Sequence, residues 1–331
     1  MSRSLRRFAW QGEGASSVAL LLGAFQQQPQ PMPEIAPGRF ELSVELPDDA
    51  SIGYGFLVDA AGAEPSAGWP LHRAEPGADA AALIPHPWGA AGVLAVSEGA
   101  TARVHPAWRA DAPPAEPATA RELRTASDRA LLLLGDGAAE TLVVVFDGAI
   151  WSDERFGFRE AFARWQRPGA HVALVGTADR GVLDQRAAMR TILEEVLDAV
   201  GGAAARVIVA GQSYGGLAAG GLLLDAPDLV DAAVLQSGSF WFDETADAHA
   251  RDFDVSGTLV QQLRAGAFSG GGRRAVVQVG GVEGDMIERS RDFASAATAA
   301  GFAAQLQVWP GGHDYAWYRH GLLTGLDQLL E

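Results

Sequence analysis

Two hydrophobic rhythms divide the chain. Up to about residue 110 the apolar positions come in short runs, RRFAWQ, SVALLLGAF, RFELSVEL and IGYGFLVDA, separated by Pro29, Pro31, Pro33, Pro47 and several glycines. In Phe40-Glu41-Leu42-Ser43-Val44-Glu45-Leu46 every second residue is apolar, which is the pattern of a strand with one buried face. No helical period of useful length occurs there, so residues 1–110 are predicted to form a small β-sandwich. Beyond residue 120 the runs become nearly continuous: ALLLLG, TLVVVFDG, HVALVGTA, VIVAGQ, AAVLQSGS, AVVQVGG and AAQLQVWPGG, spaced by helical stretches such as Gln185 to Val200. Continuous apolar strands alternating with helices predict an α/β domain over residues 121–331, a mostly parallel sheet with helices on both faces. Residues 111–120, rich in proline and alanine, read as the linker.

Composition narrows the function classes. The chain has 331 residues, 48% of them hydrophobic and 20% charged, enough for two cores and far from a disordered composition. Twenty-five basic against 41 acidic residues give a net charge of -16, which argues against nucleic-acid or anionic-membrane partners. All the basic residues are arginine, a usage read first as coding bias, and there is no cysteine, hence no thiolate nucleophile or cysteine metal site. A reducing compartment is compatible with this, and the expected location is the cytoplasm. The basic and apolar N-terminal stretch is interrupted at Gln11 to Gly14 and has no small-residue cleavage site, so it is not read as a signal peptide. No apolar run approaches the length of a membrane span.

The chemistry centres on Gly211-Gln212-Ser213-Tyr214-Gly215, a G-x-S-x-G between the apolar run VIVAG and the small-residue segment LAAGGLLLDA. A sharp strand-to-helix turn holds such a serine exposed in a strained backbone, with the Tyr214 N–H and the helix start facing the same point. A serine hydroxyl needs a base, and the base an orienting acid. In this sheet type the order along the chain is serine, acid, histidine. His313 lies in a glycine-rich loop after the run AAQLQVW and is the candidate base; His320 is expected at the surface of the following amphipathic segment. Glu283 and Asp285 both follow the run AVVQV; Glu283 is the favoured acid because it is nearer the strand end, with Asp285 as the alternative. Asp314 is a further orienter only in an unusual geometry. Gly148 or Ala149, after TLVVVFD, would supply the second oxyanion donor, with Trp151 as a pocket wall and Trp241 as an aromatic substrate contact. No His-x-x-x-His or equivalent spacing calls for a metal, and no cofactor is implied.

With GQSYGG, QSGSFWF, GGVEGDMI and GGHDYAWYRHGL in this order, the chain resembles the enterochelin (ferric enterobactin) esterase family, most strongly from Thr141 to Glu331. The resemblance implies an α/β-hydrolase domain preceded by a β-sandwich, and cleavage of the ester bonds of a catecholate siderophore, a small-molecule ester in its iron-loaded or iron-free form. By motif, Ser213 then corresponds to the nucleophile, His313 to the base and Glu283 to the acid. The family's Asp-Pro-Leu-Asn-Pro stretch is absent, with Glu75-Pro76-Gly77 at most a remnant. A ferric tris-catecholate is anionic, so Arg180, Arg186, Arg190 and Arg319 are candidate contacts, with Arg155 and Arg159 beside the oxyanion loop. Arg186 and Arg190 are four apart and share a helix face. A carboxylesterase of feruloyl or acetyl type, an acyltransferase on the same fold, and an inactive siderophore-binding homologue are the competing readings. The oligomeric state is not encoded in any pattern found.

Overall fold

The alternating N-terminal stretch forms the long strand β5 (Arg39–Pro47) in the computed structural model, which describes residues 2–23, 29–59, 83–85, 93–136, 138–165, 167–177, 180–202, 204–244 and 256–331. Strand β1 (Arg3–Gln11) pairs antiparallel with β5 over its whole length, and β4 (Glu34–Ala36) closes a three-stranded sheet. A second antiparallel sheet has the order β3 (Gln30–Pro31), β2 (Val18–Leu22), β6 (Ser51–Val58), β8 (Val93–Glu98), β7 (Leu83–Pro85). Phe8, Trp10, Phe40 and Leu46 of the first sheet share one core with Val18, Leu20, Leu22, Ile52 and Phe56 of the second. This is the expected sandwich, built from side chains on one face of each strand. The remnant at Glu75-Pro76-Gly77 lies outside the described residues.

The larger sheet has eight strands in the order β16 (Ala303–Trp309), β15 (Arg274–Gly280), β14 (Ala232–Gln236), β13 (Arg206–Gln212), β11 (Thr141–Val145), β12 (Ala170–Val175), β10 (Ala130–Leu134), β9 (Ala120–Arg124). Pairs from β12 through β11, β13 and β14 to β15 are parallel, whereas β10 runs antiparallel to both β12 and β9. β11, β12 and β14 are buried at every position, as strands covered on both faces must be. The flanking helices are α1 (Gly148–Trp151), α2 (Phe158–Trp165), α3 (Arg186–Val200), α4 (Tyr214–Asp225), α5 (Thr258–Arg264), α6 (Met286–Ala299) and α7 (Tyr315–Leu330). On α3 the buried residues are Met189, Ile192, Leu193 and Val196, one apolar face at helical spacing, and Gly201 ends the helix in a left-handed turn. Ten of the twelve residues of α4 are buried, so this helix, apolar all round, lies inside the core and not on its rim. No helix among the described residues is long and apolar enough to cross a membrane.

Packing divides the chain into two compact units. One comprises Met1–Val104, Gly280–Glu283 and Trp309–His320; the other comprises His105–Val279, Gly284–Val308 and Gly321–Glu331. Two loops that follow β15 and β16 therefore belong with the N-terminal sheets and not with the strands that lead into them. The Pro/Ala-rich stretch 111–120 belongs to the larger unit, where Arg159 and Arg164 of α2 donate hydrogen bonds to the carbonyls of Ala118 and Pro113.

Candidate active site

In the larger unit, β13 ends at Gln212 and α4 begins at Tyr214, which leaves Ser213 alone to make the turn at φ 56°, ψ −118°. A non-glycine residue there stores on the order of 1–3 kcal/mol of backbone strain. The surroundings hold it in place. The Ser213 N–H donates to Gln236 O at 3.0 Å, and Ser213 O accepts from Ser239 N at 3.1 Å and Leu217 N at 3.0 Å. A Cβ at Gly211 would lie 2.3 Å from the carbonyl of Gly215, and one at Gly216 would lie 2.9 Å from the Cα of Gly238. At Gly215 itself the nearest atom to an added Cβ is 3.5 Å away, an ordinary contact. The close approach that forces glycine thus falls at Gly211 and Gly216, and the motif's own second glycine is not sterically required.

The neighbouring parallel strand β11 ends in the same manner. Asp147 turns at φ 58° and α1 starts at Gly148, where a Cβ would lie 2.4 Å from the backbone of Leu174 and Val175. Arg180 donates to Asp147 Oδ2 at 2.8 Å; burial pushes the Asp147 carboxyl upward and Arg180 pulls it back. Two helix starts, with the Gly148 and Ala149 amides on one and the Tyr214 amide on the other, therefore stand at the ends of adjacent parallel strands. Trp151 is 1% exposed; it packs edge-on to Phe156 and Phe158, and its indole N–H donates to Gln212 Oε1 at 3.0 Å. Trp241 packs against Tyr214, Phe242, Val279 and Met286.

From Gln212 a row of carboxamides crosses the sheet. Gln212 Nε2 donates to Gln236 Oε1 at 2.8 Å, Gln236 to Gln278 at 2.9 Å, Gln278 to Gln307 at 3.0 Å, and Gln307 to Gln328 at 2.7 Å. This row was missed in the sequence. Its signal was a glutamine near the end of each of the runs VIVAGQ, AAVLQ and AVVQV.

The candidate acid Glu283 and the candidate base His313 belong to the smaller unit. Glu283 lies three residues beyond β15 and His313 four beyond β16, and they are 1% and 3% exposed. His313 Nδ1 and Glu283 Oε2 are 2.6 Å apart. Since a carboxylate only accepts, Nδ1 carries the proton and donates it, and Nε2 is left as the basic nitrogen. The other oxygen, Glu283 Oε1, accepts from Gly280 N at 2.7 Å, and a Cβ at Gly280 would collide with it at 2.4 Å. Asp285 is exposed at the start of α6 and makes no capping hydrogen bond there. Asp314 is fully buried, with Oδ1 accepting from Ala316 N at 2.8 Å and Oδ2 from Gly53 N at 3.0 Å. His320, expected at the surface, is instead completely buried, 3.8 Å from Glu98. The first turns of α7 are enclosed, and Glu98 of β8 takes the place of water for both Arg319 and His320.

Of the candidate arginines all but Arg159 are held by carboxylates. Arg186 donates to Asp225 at 2.8 and 2.5 Å and reaches Gln262 and Glu244; Arg190 donates to Glu194 at 2.9 Å and to Asp228 at 2.6 Å. Arg319 donates to Glu98 at 2.9 Å, Arg155 to Asp153 at 2.6 Å, and Arg159 to the carbonyl of Ala118 at 3.0 Å.

A mostly parallel sheet, with a serine in a left-handed turn between strand and buried helix, defines the α/β-hydrolase class. The model of the Esterase family ("Putative esterase") matches residues 144–329, and the chain belongs to that family. Among curated proteins it is similar to the iron(III) enterobactin esterase of Dickeya dadantii, 35% identical over 128 residues, which are 38% of this chain and 29% of that relative. It is also similar to the iron(III) enterobactin esterase of Escherichia coli O6:H1, 27% identical over 287 residues, covering 79% of this chain and 69% of the relative. The solved ferric enterobactin esterase of Salmonella typhimurium superposes with a TM-score of 0.77 at 21% identity, covering 98% of this chain and 93% of that one. The enterobactin esterase of Shigella flexneri, crystallised in the presence of enterobactin, superposes with a TM-score of 0.75 at 22% identity, covering 99% of this chain and 93% of that one.

Proposed function

We propose that this chain is a serine esterase that hydrolyses the ester bonds of a catecholate siderophore, an enterobactin-like trilactone or its ferric complex, with Ser213, His313 and Glu283 as nucleophile, base and acid. The observation that carries the reading is the buried 2.6 Å contact between His313 Nδ1 and Glu283 Oε2, which fixes the imidazole tautomer a base requires. In this mechanism Ser213 Oγ attacks the ester carbonyl while His313 Nε2 takes its proton. The oxyanion is held by the Tyr214 amide and that of Gly148 or Ala149. The imidazolium then protonates the leaving alcohol, and water, deprotonated by the same nitrogen, releases the acid and restores Ser213. Trp241 contributes an aromatic surface beside Tyr214. The substrate class rests on the relatives, whose names specify iron(III) enterobactin esterases. The proposed location is the cytoplasm. In domain terms, 1–110 is the sandwich, 111–120 the connection and 121–331 the catalytic domain, two of whose loops pack in the smaller unit.

One observation favours a second reading, a less charged ester as preferred substrate. Arg180, Arg186, Arg190 and Arg319 all face carboxylates, so none of these four brings an uncompensated positive charge to a ferric tris-catecholate. Incubation with iron-loaded and iron-free trilactones, and with feruloyl and p-nitrophenyl esters, followed by mass spectrometry of the products, separates the substrates. Ser213→Ala is expected to lower kcat by roughly 10⁴ or more and to abolish labelling by a fluorophosphonate. Stoichiometric labelling of that variant removes Ser213 as nucleophile, and a wild-type chain that binds the trilactone without cleaving any ester is a binding protein.

A further inference from the structure

The loop that carries His313 is held at several points. Ser51 N donates to Pro310 O at 2.9 Å, Ser51 Oγ to Ala316 O at 3.2 Å, and His313 N to Gly23 O at 3.3 Å. Trp317 donates its indole N–H to Gly312 O. All but the last of these tie the loop to β6 or to the residue that follows β2. At the centre stands Asp314, whose two oxygens divide between the start of α7, through Ala316 N, and β6, through Gly53 N. The strand can approach because residue 53 is glycine: a Cβ there would lie 3.2 Å from Asp314 Cγ.

A carboxylate has an acceptor oxygen for each of two backbone N–H groups, whereas an asparagine in its place has one oxygen and must turn its NH₂ toward the other N–H. We infer that Asp314 is a positioning residue for the His313–Glu283 pair: its two carboxylate oxygens, one on Gly53 N and one on Ala316 N, pin the histidine loop to β6 and to the first turn of α7. The inference rests on the reading of His313 as general base. Burial pushes the Asp314 carboxyl up to about 6, so the carboxylate form prevails above that pH. The charged and titratable groups that face it are Glu283 from the loop after β15, His313 on its own loop and Arg319 on α7. Glu283 opposes its ionisation, and His313 favours it when protonated.

The kcat and KM of Asp314→Asn at pH 8 test this, together with the proton resonance of the His313 Nδ1–H, which lies far downfield while bonded to Glu283. Asparagine cannot accept from both N–H groups, so Asp314→Asn lowers kcat by about 10²-fold with KM within about threefold, the effect of a misplaced base and not of lost binding. At pH 8 the Nδ1–H resonance is sharp in the wild type and broad in Asp314→Asn. A folded variant with a sharp resonance and wild-type kcat overturns the inference. A wild-type resonance already broad at pH 8 overturns it even if the variant does not fold. An active His313→Ala enzyme refutes the base assignment instead, and the resonance then decides the role of Asp314 on its own.

Discussion

Replacing Glu283 by glutamine changes one atom, and the geometry says which way the new amide must turn. Oε1 accepts from Gly280 N at 2.7 Å and Oε2 from His313 Nδ1 at 2.6 Å, so the carboxylate needs an acceptor at both ends. Glutamine offers one oxygen and one NH₂. If the oxygen stays on Gly280, the NH₂ faces Nδ1 and forces the proton to Nε2, the tautomer that cannot accept from serine. If the oxygen turns to His313, the NH₂ meets the Gly280 N–H, and a buried donor loses its partner at a cost of about 1–3 kcal/mol. Gly280 N and this end of the side chain are only 2.7 Å apart, so no water fits between the two to relieve that clash. The backbone N–H cannot change its polarity, whereas the imidazole can change tautomer, and the first orientation wins. Glu283→Gln should therefore lower kcat toward the upper end of about 10²–10⁴, the loss a wrong tautomer causes in a triad, with the melting temperature nearly unchanged. Asp285→Asn, exposed at the start of α6, should cost less than about tenfold. The assay is steady-state hydrolysis of a p-nitrophenyl ester beside thermal denaturation of each variant. A Glu283→Gln enzyme within tenfold of wild type, or one destabilised by several kcal/mol with its rate intact, refutes the argument; the reverse ranking of the two variants moves the role to Asp285.

Two further outcomes follow from the same geometry. Gly215→Ala should fold and react nearly as wild type, and gain up to about 1 kcal/mol from the better helix former, whereas Gly211→Ala should express poorly or lose activity because its Cβ meets the Gly215 carbonyl at 2.3 Å; denaturant titration of the pair checks this, and equal behaviour of the two contradicts it. Asp314, raised from 3.8 to about 6, holds its proton in the folded state where the unfolded chain has lost it, so its contribution to stability is full below pH 3.8, falls as the pH rises to about 6, and stays lost above. That interval is worth about 3 kcal/mol, and Asp314→Asn should flatten the pH dependence of unfolding free energy across it; parallel curves for wild type and variant between pH 4 and 7 contradict the assignment.

The parts of the site that were legible in the sequence are those determined within a few residues of one another. A strand, one serine and a helix are consecutive at Val207 to Leu217, so the turn at Ser213 is written locally, and His313 and Glu283 follow from the order of strand ends along the chain. Which glycines the turn requires was not legible, because the atom that excludes a side chain at residue 216 belongs to Gly238, beyond the next strand. The partners of the arginines were hidden for the same reason: Arg186 and Arg190 share a helix face as their spacing says, but Asp225 and Asp228 reach them from the end of α4 and the turn after it. His320 read as a surface residue because its carboxylate, Glu98, is more than two hundred residues away.

The glutamine row is the instructive middle case, since each member is visible in its own strand and its meaning lies only in the register. Parallel pairing sets Gln212 opposite Gln236 and Gln236 opposite Gln278, so three amides that are separate in sequence form one line perpendicular to the strands. A buried amide must satisfy a donor and an acceptor at once, so the members of such a line either all point one way or leave a pair of like groups facing. The direction is fixed at one end by Trp151, whose indole N–H can only donate. It gives to Gln212 Oε1, and the Nε2 of Gln212 is thereby turned to Gln236, and so on to Gln328. The residue between Gly211 and Ser213 is therefore not a free position of the G-x-S-x-G motif. It is the first link of a polar chain whose orientation is set from the helix that follows β11, and the backbone turn at Ser213 is tied to the sheet by the amide immediately before it.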